Sequence, residues 1–481
     1  MSKTIIETLA QFATETTYAE LPAEVVEETK RILMDSVGCA LGGHASPKGR
    51  IGVEFGRMFG GAADDATIIG SPYRSSVFGA GFANGELINA LDFDAVLPPG
   101  HVAPYVIPAA LAVAEDQDSA GEELIVALAM AHELSFRFSK AMDYHRDIKD
   151  GKFVIPSVLG CSPTVFGATA ALGRIKALDS EVMADALGIA GSISPVNSQR
   201  AWLEHVPIST IKYTMAGPVA QAAMTAAYAA ELGHRGDRQT LDDADFGYPR
   251  FIGTKRWSPE ALTEQLGSDW RFPVASIMKP YPHCRNMHAP LDALTELLTE
   301  HDIRAEEIDA IRAWGEAWIK LPAFVNNDIE HVQDGQMSIA HGLAVAAQRM
   351  PPGPAWQHPE TSFDPPVLDL MRRVSYEGHP DYVTAISQDP AARPSRIEVD
   401  ARGTTFAAER QYPKGSRSSD PETYMTTQEL IEKFMVNSDG VLPKAQANDA
   451  VKAMLELEDT DGVGSVMRLV ASSEPEGQQT S

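Results

Sequence analysis

Apolar residues recur at helical spacing as far as Trp270. The first such segment spans residues 4–17, where Ile5, Leu9 and Phe12 fall on one face of an amphipathic helix. Apolar content or spacing predicts further helices at 22–43, 76–91, 105–114, 119–138, 163–172 and 180–193. Residues 44–75 carry many turn-forming residues, so we expect loops there, with one short strand at 66–69.

The pattern changes near Trp270, where proline-rich segments and short β-branched runs begin. Residues 308–314 and 396–400 alternate like strands, and residues 336–348 and 367–374 between them have helical patterns. Helical spacing returns from Thr423, at 430–434 and 445–457. We therefore predict a mainly α protein. A large, discontinuous all-α domain would comprise 1–272 and 412–471, a smaller α+β domain 273–411, and a disordered tail 472–481.

The composition narrows the classes of partner. The chain has 481 residues, 44% of them hydrophobic, and a net charge of −26 without any basic run, which argues against nucleic acid and anionic membranes. Two uncharged runs, 153–173 and 213–230, are long enough to span a bilayer. Both are rich in Ala, Gly, Ser and Thr, which favours helices enclosed by other helices. We expect no membrane partner.

The cysteines argue against the common cysteine-based metal sites. Cys39, Cys161 and Cys284 lie far apart, and no Cys-x-x-Cys occurs, so zinc ribbons and ferredoxin-type clusters are not expected. An iron–sulfur dehydratase has little support for the same reason. Few cysteines and no apolar leader after Met1 predict a reducing, cytoplasmic location.

One stretch, residues 83–117, combines acidic and apolar sequence. It sets Asp92, Asp94 and His101 just before the uncharged run 105–114. Burying a carboxylate is costly unless something pairs with it, and such places suit shifted pKa values and proton transfer. The residues alone leave open a plainer alternative, in which both aspartates are solvated or capping groups at a helix end.

The order of residues in this stretch resembles a known family. The matching segments are Asn84-Gly85, Leu91-Asp92-Phe93-Asp94, His101 and Pro108-Ala109-Ala110-Leu111-Ala112. They are similar to the MmgE/PrpD family, which includes 2-methylcitrate dehydratases, cis-aconitate decarboxylases and an iminodisuccinate epimerase. The resemblance covers nearly the whole chain and implies a homodimer, with the site in the cleft between the helical domain and a lid domain at 273–411.

A second segment resembles the same family more specifically. Residues 279–288 read Lys-Pro-Tyr-Pro-His-Cys-Arg-Asn-Met-His, and seven positions match the family's segment at the opening of its lid domain. Without the resemblance, this could be a proline-stiffened loop with surface cations. The family also carries an active-site lysine five residues before a glycine, which here is Lys212 before Gly217. The alternative to an active-site role for Lys212 is a surface lysine whose ammonium group reaches solvent.

These residues suit chemistry on a carboxylic acid. Removing a proton beside a carboxylate needs a base within hydrogen-bond reach, and cations must stabilise the negative charge that develops. As a hypothesis, catalysis is assigned to Asp92, His101 and Lys212. The residues assigned to substrate binding are Asp94, Lys279, Tyr281, His283, Cys284, Arg285 and His288.

A divalent metal is a competing use of these side chains. Asp92, Asp94 and His101 offer oxygen and nitrogen ligands, whereas His283 and His288, five residues apart, fit no local metal signature. The resemblance implies metal-independent catalysis, so no metal or other cofactor is expected.

Three polar positions of the family are apolar in this chain. Ala95 and Val96 replace a carboxylate and a hydroxyl, and Val154 stands where cis-aconitate decarboxylases carry a histidine. Because polar pockets reject ligands that lack the matching groups, we predict a less polar or less carboxylated substrate than methylcitrate or cis-aconitate.

The leading hypothesis is a lyase of the dehydratase type that acts on a small carboxylate. Epimerisation is an alternative, with Lys212 and His101 as bases on two faces of one carbon. Decarboxylation is another, weakened by Val154. A binding protein that kept the fold and lost the chemistry also remains open, since fold alone does not decide function.

Overall fold

A computed structural model gives the fold of the chain. It describes residues 3–144, 146–150, 152–153, 156, 161–196, 199–212 and 215–472. Val154 and all of the predicted tail except Ser472 lie outside the described residues. No helix among the described residues has both the length and the apolar character needed to cross a bilayer.

Helices dominate the chain up to residue 275. Their bounds are α1 Ile5–Glu15, α2 Ala23–Gly43, α3 Pro47–Gly60, α4 Val77–Ile88, α5 Ala103–Asp116, α6 Gly121–Ala141, α7 Thr164–Ile175, α8 Ser180–Ile193, α9 Gln199–Glu204, α10 Ala216–Glu231, α11 Tyr248–Ile252, α12 Glu260–Thr263 and α13 Phe272–Ala275. The predicted helices match these elements to within a few residues, because their buried faces have the helical period that the sequence shows.

The prediction of a loop-rich segment at residues 44–75 is wrong for residues 47–60, which form α3. Ser46 caps this helix by accepting a hydrogen bond from the Gly49 amide at 3.0 Å. Glycine has a low helix propensity, and the several glycines of this segment are the reason why the sequence did not predict α3. In the fold, its glycines let α3 lie close against α4: a Cβ atom on Gly56 would stand 2.7 Å from the Ala83 Cβ.

Two-residue strands form hairpins between the first helices. These strands are β1 Ala66–Thr67, β2 Arg74–Ser75, β3 Val96–Leu97, β4 Gly100–His101, β5 Ile148–Lys149 and β6 Lys152–Phe153. They pair in sequence order as antiparallel hairpins. The β3–β4 hairpin follows the acidic stretch directly and carries His101.

A four-stranded sheet and its covering helices form the next part of the chain. The strands are β7 Ile308–Gly315, β8 Val374–Gly378, β9 Ser395–Ala401 and β10 Thr404–Arg410. The helices are α14 His288–Glu300, α15 Val332–Met337, α16 Ile339–Ala347, α17 Pro359–Ser362, α18 Pro365–Met371 and α19 Tyr382–Gln388. The strand order is β10-β9-β7-β8, with β7 and β8 parallel and the other pairs antiparallel.

The two predicted strands are the central ones, β7 and β9. Their alternating buried residues gave a clear pattern, whereas the edge strands β8 and β10 are largely half-buried or exposed and were not predicted. The chain then ends in α20 Thr427–Ser438, α21 Lys444–Leu455 and α22 Val463–Leu469. Helices α20 and α21 return to contact α2. The predicted fold class, mainly α with a small sheet-containing part, is confirmed; the domain boundaries stay a prediction.

The close contact of α3 and α4 can be tested at Gly56. We expect Gly56→Ala to lower the free energy of unfolding by about 1–3 kcal/mol, because the new methyl group overlaps Ala83 and the Gly79 carbonyl oxygen. This loss should exceed the gain of about 1 kcal/mol in helix propensity. Urea unfolding measures it, with the exposed Glu54→Ala in the same helix as control. Equal stability of both variants would contradict the packing described.

Candidate active site

The loop between α4 and β3 holds Asp92 in a left-handed conformation. Its φ is +52°, in a region that residues other than glycine adopt uncommonly, although aspartate adopts it more readily than most. Four consecutive backbone carbonyls of this loop accept hydrogen bonds from distant side chains. The pairs are Ala90 with Gln336 (2.9 Å), Leu91 with Gln357 (2.6 Å), Asp92 with Lys279, and Phe93 with Lys433 (2.7 Å). The loop is thus fixed by residues far along the chain.

A backbone bridge brings the acidic stretch to the 279–288 segment. Val96 in β3 pairs with His101 in β4 and also exchanges two hydrogen bonds of 2.8 Å with Ile277. Ile277 lies two residues before Lys279. Gln357 adds a second link, since its amide nitrogen donates to both the Leu91 and the Pro282 carbonyls at 2.6 Å. These contacts place the two segments side by side.

The Asp92 carboxylate is buried among three basic groups. Its Oδ1 lies 2.5 Å from Lys212 Nζ and 2.9 Å from His101 Nε2, and its Oδ2 lies 3.2 Å from Lys279 Nζ. Lys212 also has a left-handed backbone, with φ of +63°. Two uncommon backbone conformations therefore meet in the shortest of these ion pairs, which fits a strained functional site.

Electrostatics keep Asp92 ionised. Burial alone would raise the pKa of its carboxyl, but the charges of Lys212 and Lys279 and the hydrogen bond from His101 outweigh burial and hold the pKa well below its usual range. Burial lowers the pKa of the Lys279 ammonium, although Asp92 opposes that shift. The charges of the cluster thus balance one another, because Asp92 is the counter-ion that its basic neighbours share.

His101 stands between two carboxylates. Its Nδ1 lies 2.6 Å from Asp94 Oδ2, and its Nε2 faces Asp92. Despite burial, the charge of His101 and its hydrogen bond lower the pKa of Asp94. An imidazolium would donate to both carboxylates, and a neutral ring to one of them. His101 is therefore held in the orientation that a proton carrier needs.

The same contacts bear on the metal alternative. Both ring nitrogens of His101 face carboxylates, and the ammonium groups of Lys212 and Lys279 occupy the cationic positions beside Asp92. The described part of the chain contains no group of three His, Cys, Asp or Glu residues that is arranged to hold a metal ion. Asp92, Asp94 and His101 do not form such a set.

A cavity adjoins this cluster. It has a volume of about 80 Å³, and its lining includes Asp92, His101, Val96, Cys284 and Arg285. Burial and the nearby Asp92 charge raise the pKa of the Cys284 thiol to about 12, so Cys284 stays a neutral wall residue. Lys212 and Lys279 touch Asp92 and do not line the cavity.

Other predicted site residues lie away from the cavity. Tyr281 is buried against Trp356 and donates to Asp292 Oδ1 at 3.0 Å. His283 packs beside His341, and burial is the main cause of lowering its pKa to about 3. His288 begins α14 and donates to the His283 carbonyl at 3.1 Å. Like Asp94, these three side chains are placed to support the site rather than to touch a ligand in the cavity.

Sequence reasoning missed several residues that build the site. Gln336, Gln357 and Lys433 hold the Asp92 loop, and Asp35 pairs with Lys433 at 2.6 Å. Arg146 lines the cavity as well. Each is a single polar residue in an otherwise ordinary helix or loop. No local spacing or motif distinguishes them, so only the fold reveals their partners.

Two family models match the chain. The model for the MmgE/PrpD N-terminal domain matches residues 7–260, and the model for the MmgE/PrpD C-terminal domain matches residues 281–458. The two matches leave residues 261–280 between them, a range that contains the predicted boundary at 272/273.

Curated proteins with similar sequences include three named cis-aconitate decarboxylase. The human protein is 26% identical over 300 residues, which is 61% of this chain and 59% of the human protein. The mouse protein is 23% identical across 98% of this chain and 94% of its own length. The protein of Aspergillus terreus (strain NIH 2624 / FGSC A1156) is 22% identical across 94% of this chain and 92% of its own length.

A substitution of Gln357 tests whether the Asp92 loop and the 279–288 segment are held together by the donor that they share. We expect Gln357→Leu to lower the free energy of unfolding by about 1–3 kcal/mol, because the buried Leu91 and Pro282 carbonyls lose their donor. Urea denaturation provides the measurement. Gln348→Leu is the matched control, since among the described residues the Gln348 side chain makes a single long hydrogen bond, of 3.5 Å to the Ala344 carbonyl. A loss no larger than that of the control would show that the link is unimportant.

Proposed function

Because the chain belongs to the MmgE/PrpD family, we propose that it is a cofactor-independent lyase of a small carboxylic acid, with loss of water as the leading reaction. One observation carries this proposal. Asp92, His101, Lys212 and Lys279 form one buried hydrogen-bonded cluster at the wall of a cavity. Such a cluster can move a proton and stabilise an anion in the same place.

His101 is the proposed proton carrier. The proton that Nε2 donates to Asp92 must first leave; the neutral ring, which still donates from Nδ1 to Asp94, can then accept at Nε2 a proton from the carbon beside the substrate carboxylate. The negative charge spreads into that carboxylate. Lys212 and Lys279 do not line the cavity, so their ammonium groups stabilise this charge from beside Asp92 without direct contact. As the carbon–carbon double bond forms, hydroxide leaves and takes the proton that His101 Nε2 has accepted, which returns His101 to its neutral form. Lys212, whose Nζ lies 3.3 Å from His101 Nε2, helps to position that nitrogen. The products are the unsaturated acid and water. Asp92 holds the two lysine side chains in place through its two carboxylate oxygens.

Decarboxylation is the second candidate, and the human, mouse and Aspergillus terreus relatives favour it because each is named for it. The same cations would stabilise the carbanion left by CO₂, and His101 would then supply a proton. Epimerisation gains less support from the geometry. Lys212 and His101 lie 3.3 Å apart, so they do not stand on opposite faces of a substrate carbon.

The cavity wall supports a less polar substrate than that of a typical relative. Val96 lines the cavity where the family usually has a hydroxyl, while Ala95 is buried and does not line it. An apolar wall leaves a polar substrate group without a partner, which costs binding energy. Turnover of methylcitrate or cis-aconitate as fast as by dedicated enzymes would contradict this part of the proposal.

Proton NMR in heavy water tests the reaction class. The purified protein is incubated with a panel of tricarboxylic, dicarboxylic and simpler hydroxy acids. Elimination produces an alkene, decarboxylation removes a carboxylate, and epimerisation exchanges a proton and inverts the centre. No reaction with any acid, together with a ligand-induced rise in melting temperature, would favour the binding-protein alternative.

The proton-transfer roles predict large losses of activity. Asp92→Asn and His101→Gln should each lower kcat about 10²–10⁴-fold on the acid identified by NMR, because the first frees the lysine pair and the second removes the proton carrier. Steady-state kinetics measures the effect, with circular dichroism to verify folding. The surface variant His358→Gln should retain wild-type kcat. Near-normal turnover of a folded Asp92 or His101 variant would remove that residue from the mechanism.

A homodimer is also proposed, and an exposed apolar stripe on α3 supports it. Ile51, Phe55, Met58 and Phe59 are 54%, 39%, 75% and 48% exposed, and their spacing places them on one helix face. Exposed apolar patches of this kind commonly mark protein interfaces. A second copy of the chain, presenting the same stripe, would bury it.

The dimer is tested by light scattering coupled to size-exclusion chromatography. The wild type should elute with twice the mass of one chain, and Met58→Glu should elute as a monomer, because a buried charge without a partner disfavours association. Leu232→Glu, at a position 84% exposed outside the stripe, should remain dimeric. A monomeric wild type, or a dimeric Met58→Glu, would contradict the stripe as the interface.

The cytoplasmic location stays part of this proposal. Cys39, Cys161 and Cys284 are buried free thiols. Unpaired thiols are expected in a reducing compartment, where disulfides do not persist.

A further inference from the structure

The cavity beside Asp92 has an apolar wall that the proposed proton transfer does not use. Four buried side chains form this apolar wall: Trp202, Leu203, Phe324 and Met337. A polar group placed against them would lose its hydrogen bonds to water without gaining others. A ligand that fills the cavity is therefore expected to place hydrocarbon against these side chains.

Helix α9 supplies two residues of the apolar wall and is held by two hydrogen bonds. Trp202 Nε1 donates to the Ser209 carbonyl at 3.0 Å, and the Leu203 carbonyl accepts from the Ala323 amide at 3.0 Å. The second bond joins α9 to the segment that carries Phe324. These contacts fix the position of the α9 side chains that line the cavity.

One polar side chain of α9, Gln199, also lines the cavity. Gln199 is 6% exposed, and its Oε1 is buried with no hydrogen-bond partner among the residues that the structure describes. A buried carbonyl oxygen without a donor is destabilising, because its hydrogen bonds to water are lost and not replaced. An oxygen kept in this state at a cavity wall is expected to find its donor in the ligand.

We propose that Gln199 Oε1 accepts a hydrogen bond from a hydroxyl group of the substrate, and that the hydrocarbon of the same acid lies on the apolar wall. This inference rests on the proposed function, because it takes the Asp92 cluster as the reaction centre. The substrate is then a small hydroxy acid with an alkyl substituent. Gln199 determines specificity, because it distinguishes this acid from the analogue without the hydroxyl group.

The chemistry of the cavity favours a hydroxyl group as the donor. A carboxylate has only acceptors, so it cannot pair with a carbonyl oxygen. An ammonium group has donors, but it would enter a cavity that the guanidinium groups of Arg146 and Arg285 also line, and like charges repel. A hydroxyl group supplies one donor without adding a charge.

The same hydrogen bond suits the departure of the hydroxyl group. A hydroxyl group that donates its hydrogen to Gln199 keeps the lone pairs of its oxygen available. As the carbon–oxygen bond breaks, its electrons stay on that oxygen, which takes the proton held by His101 and leaves as water. Gln199 thus positions the leaving group and exchanges no proton itself.

Three acids with the same carbon skeleton test the proposal. Pivalate, hydroxypivalate and dimethylolpropionate carry no, one and two hydroxyl groups, and none has a hydrogen on the carbon beside the carboxylate. They cannot lose water by the proposed route, so binding is measured without turnover. Calorimetry gives their Kd for the wild type, for Gln199→Met, which has a side chain of similar length, and for the control Gln348→Met outside the cavity.

The wild type should bind hydroxypivalate about 3- to 10-fold more tightly than pivalate, the usual worth of a neutral hydrogen bond. Dimethylolpropionate should bind about 3-fold more weakly than hydroxypivalate, or weaker still, because its second hydroxyl group lies unpaired on the apolar wall. Gln199→Met should abolish the preference for hydroxypivalate and leave the Kd of pivalate nearly unchanged. Gln348→Met should match the wild type with all three acids.

Three results would overturn the proposal. The first is equal affinity of the wild type for pivalate and hydroxypivalate, or no binding of either at millimolar concentration. The second is tighter binding of dimethylolpropionate than of hydroxypivalate. The third is an equal effect of Gln199→Met on pivalate and hydroxypivalate, which a purely structural glutamine would give. If Gln199→Met does not fold, the three acids on the wild type decide alone.

The proposed reaction fails separately from this site. If hydroxypivalate binding depends on Gln199 but no acid of the NMR panel reacts, the hydroxyl site stands and the lyase assignment falls. If the panel reveals loss of water but Gln199→Met affects both acids equally, the lyase assignment stands and the hydroxyl site falls.

Discussion

The burial of one ionised carboxylate, Asp92, is the constraint that organises this structure. A lone carboxylate at 1% exposure would be protonated or would destabilise the fold. Asp92 remains ionised because Lys212, Lys279 and His101 surround it at hydrogen-bonding distance. Each basic group depends on Asp92 in turn, since two buried ammonium groups near each other would otherwise repel. Removing any member leaves the others uncompensated.

The fold supplies these partners from parts of the chain far apart in sequence. Lys212 lies before α10, Lys279 follows the bridge at Ile277, and Lys433 reaches the loop from α20. The packing of the C-terminal helix α20 on α2 therefore contributes to the site, because it places the Lys433 ammonium where it donates to the Phe93 carbonyl. The Lys433–Asp35 pair anchors that donor between two helices. Fixing both sides of Asp92 allows its left-handed conformation to persist.

Local patterns were sufficient for most of the fold and for the centre of the site. Helices with one buried face, such as α8, and strands with alternating burial, such as β7, can be predicted because their apolar residues recur with the helical or strand period. Helix α3 could not be predicted in this way, because its glycines permit close contact with α4 but lower the helix propensity of the segment. At the site, Asp92, His101, Lys212 and Lys279 stood out by motif and meet in space. Gln357, Lys433 and Arg146 did not, because the partners that tie them to the site lie 75 or more residues away along the chain.

The most direct test of this account is the ionisation state of Asp92 itself. Carbon-13 NMR of the aspartate carboxyl carbons, with Asp92→Asn to assign the resonance, follows its protonation as the pH falls. The account predicts that Asp92 keeps the chemical shift of a carboxylate below the ordinary aspartate pKa of about 3.9, for as long as the protein stays folded. Titration of Asp92 at or above that value would contradict it, because the lysine pair would then lack the counter-ion on which the proposed site is built.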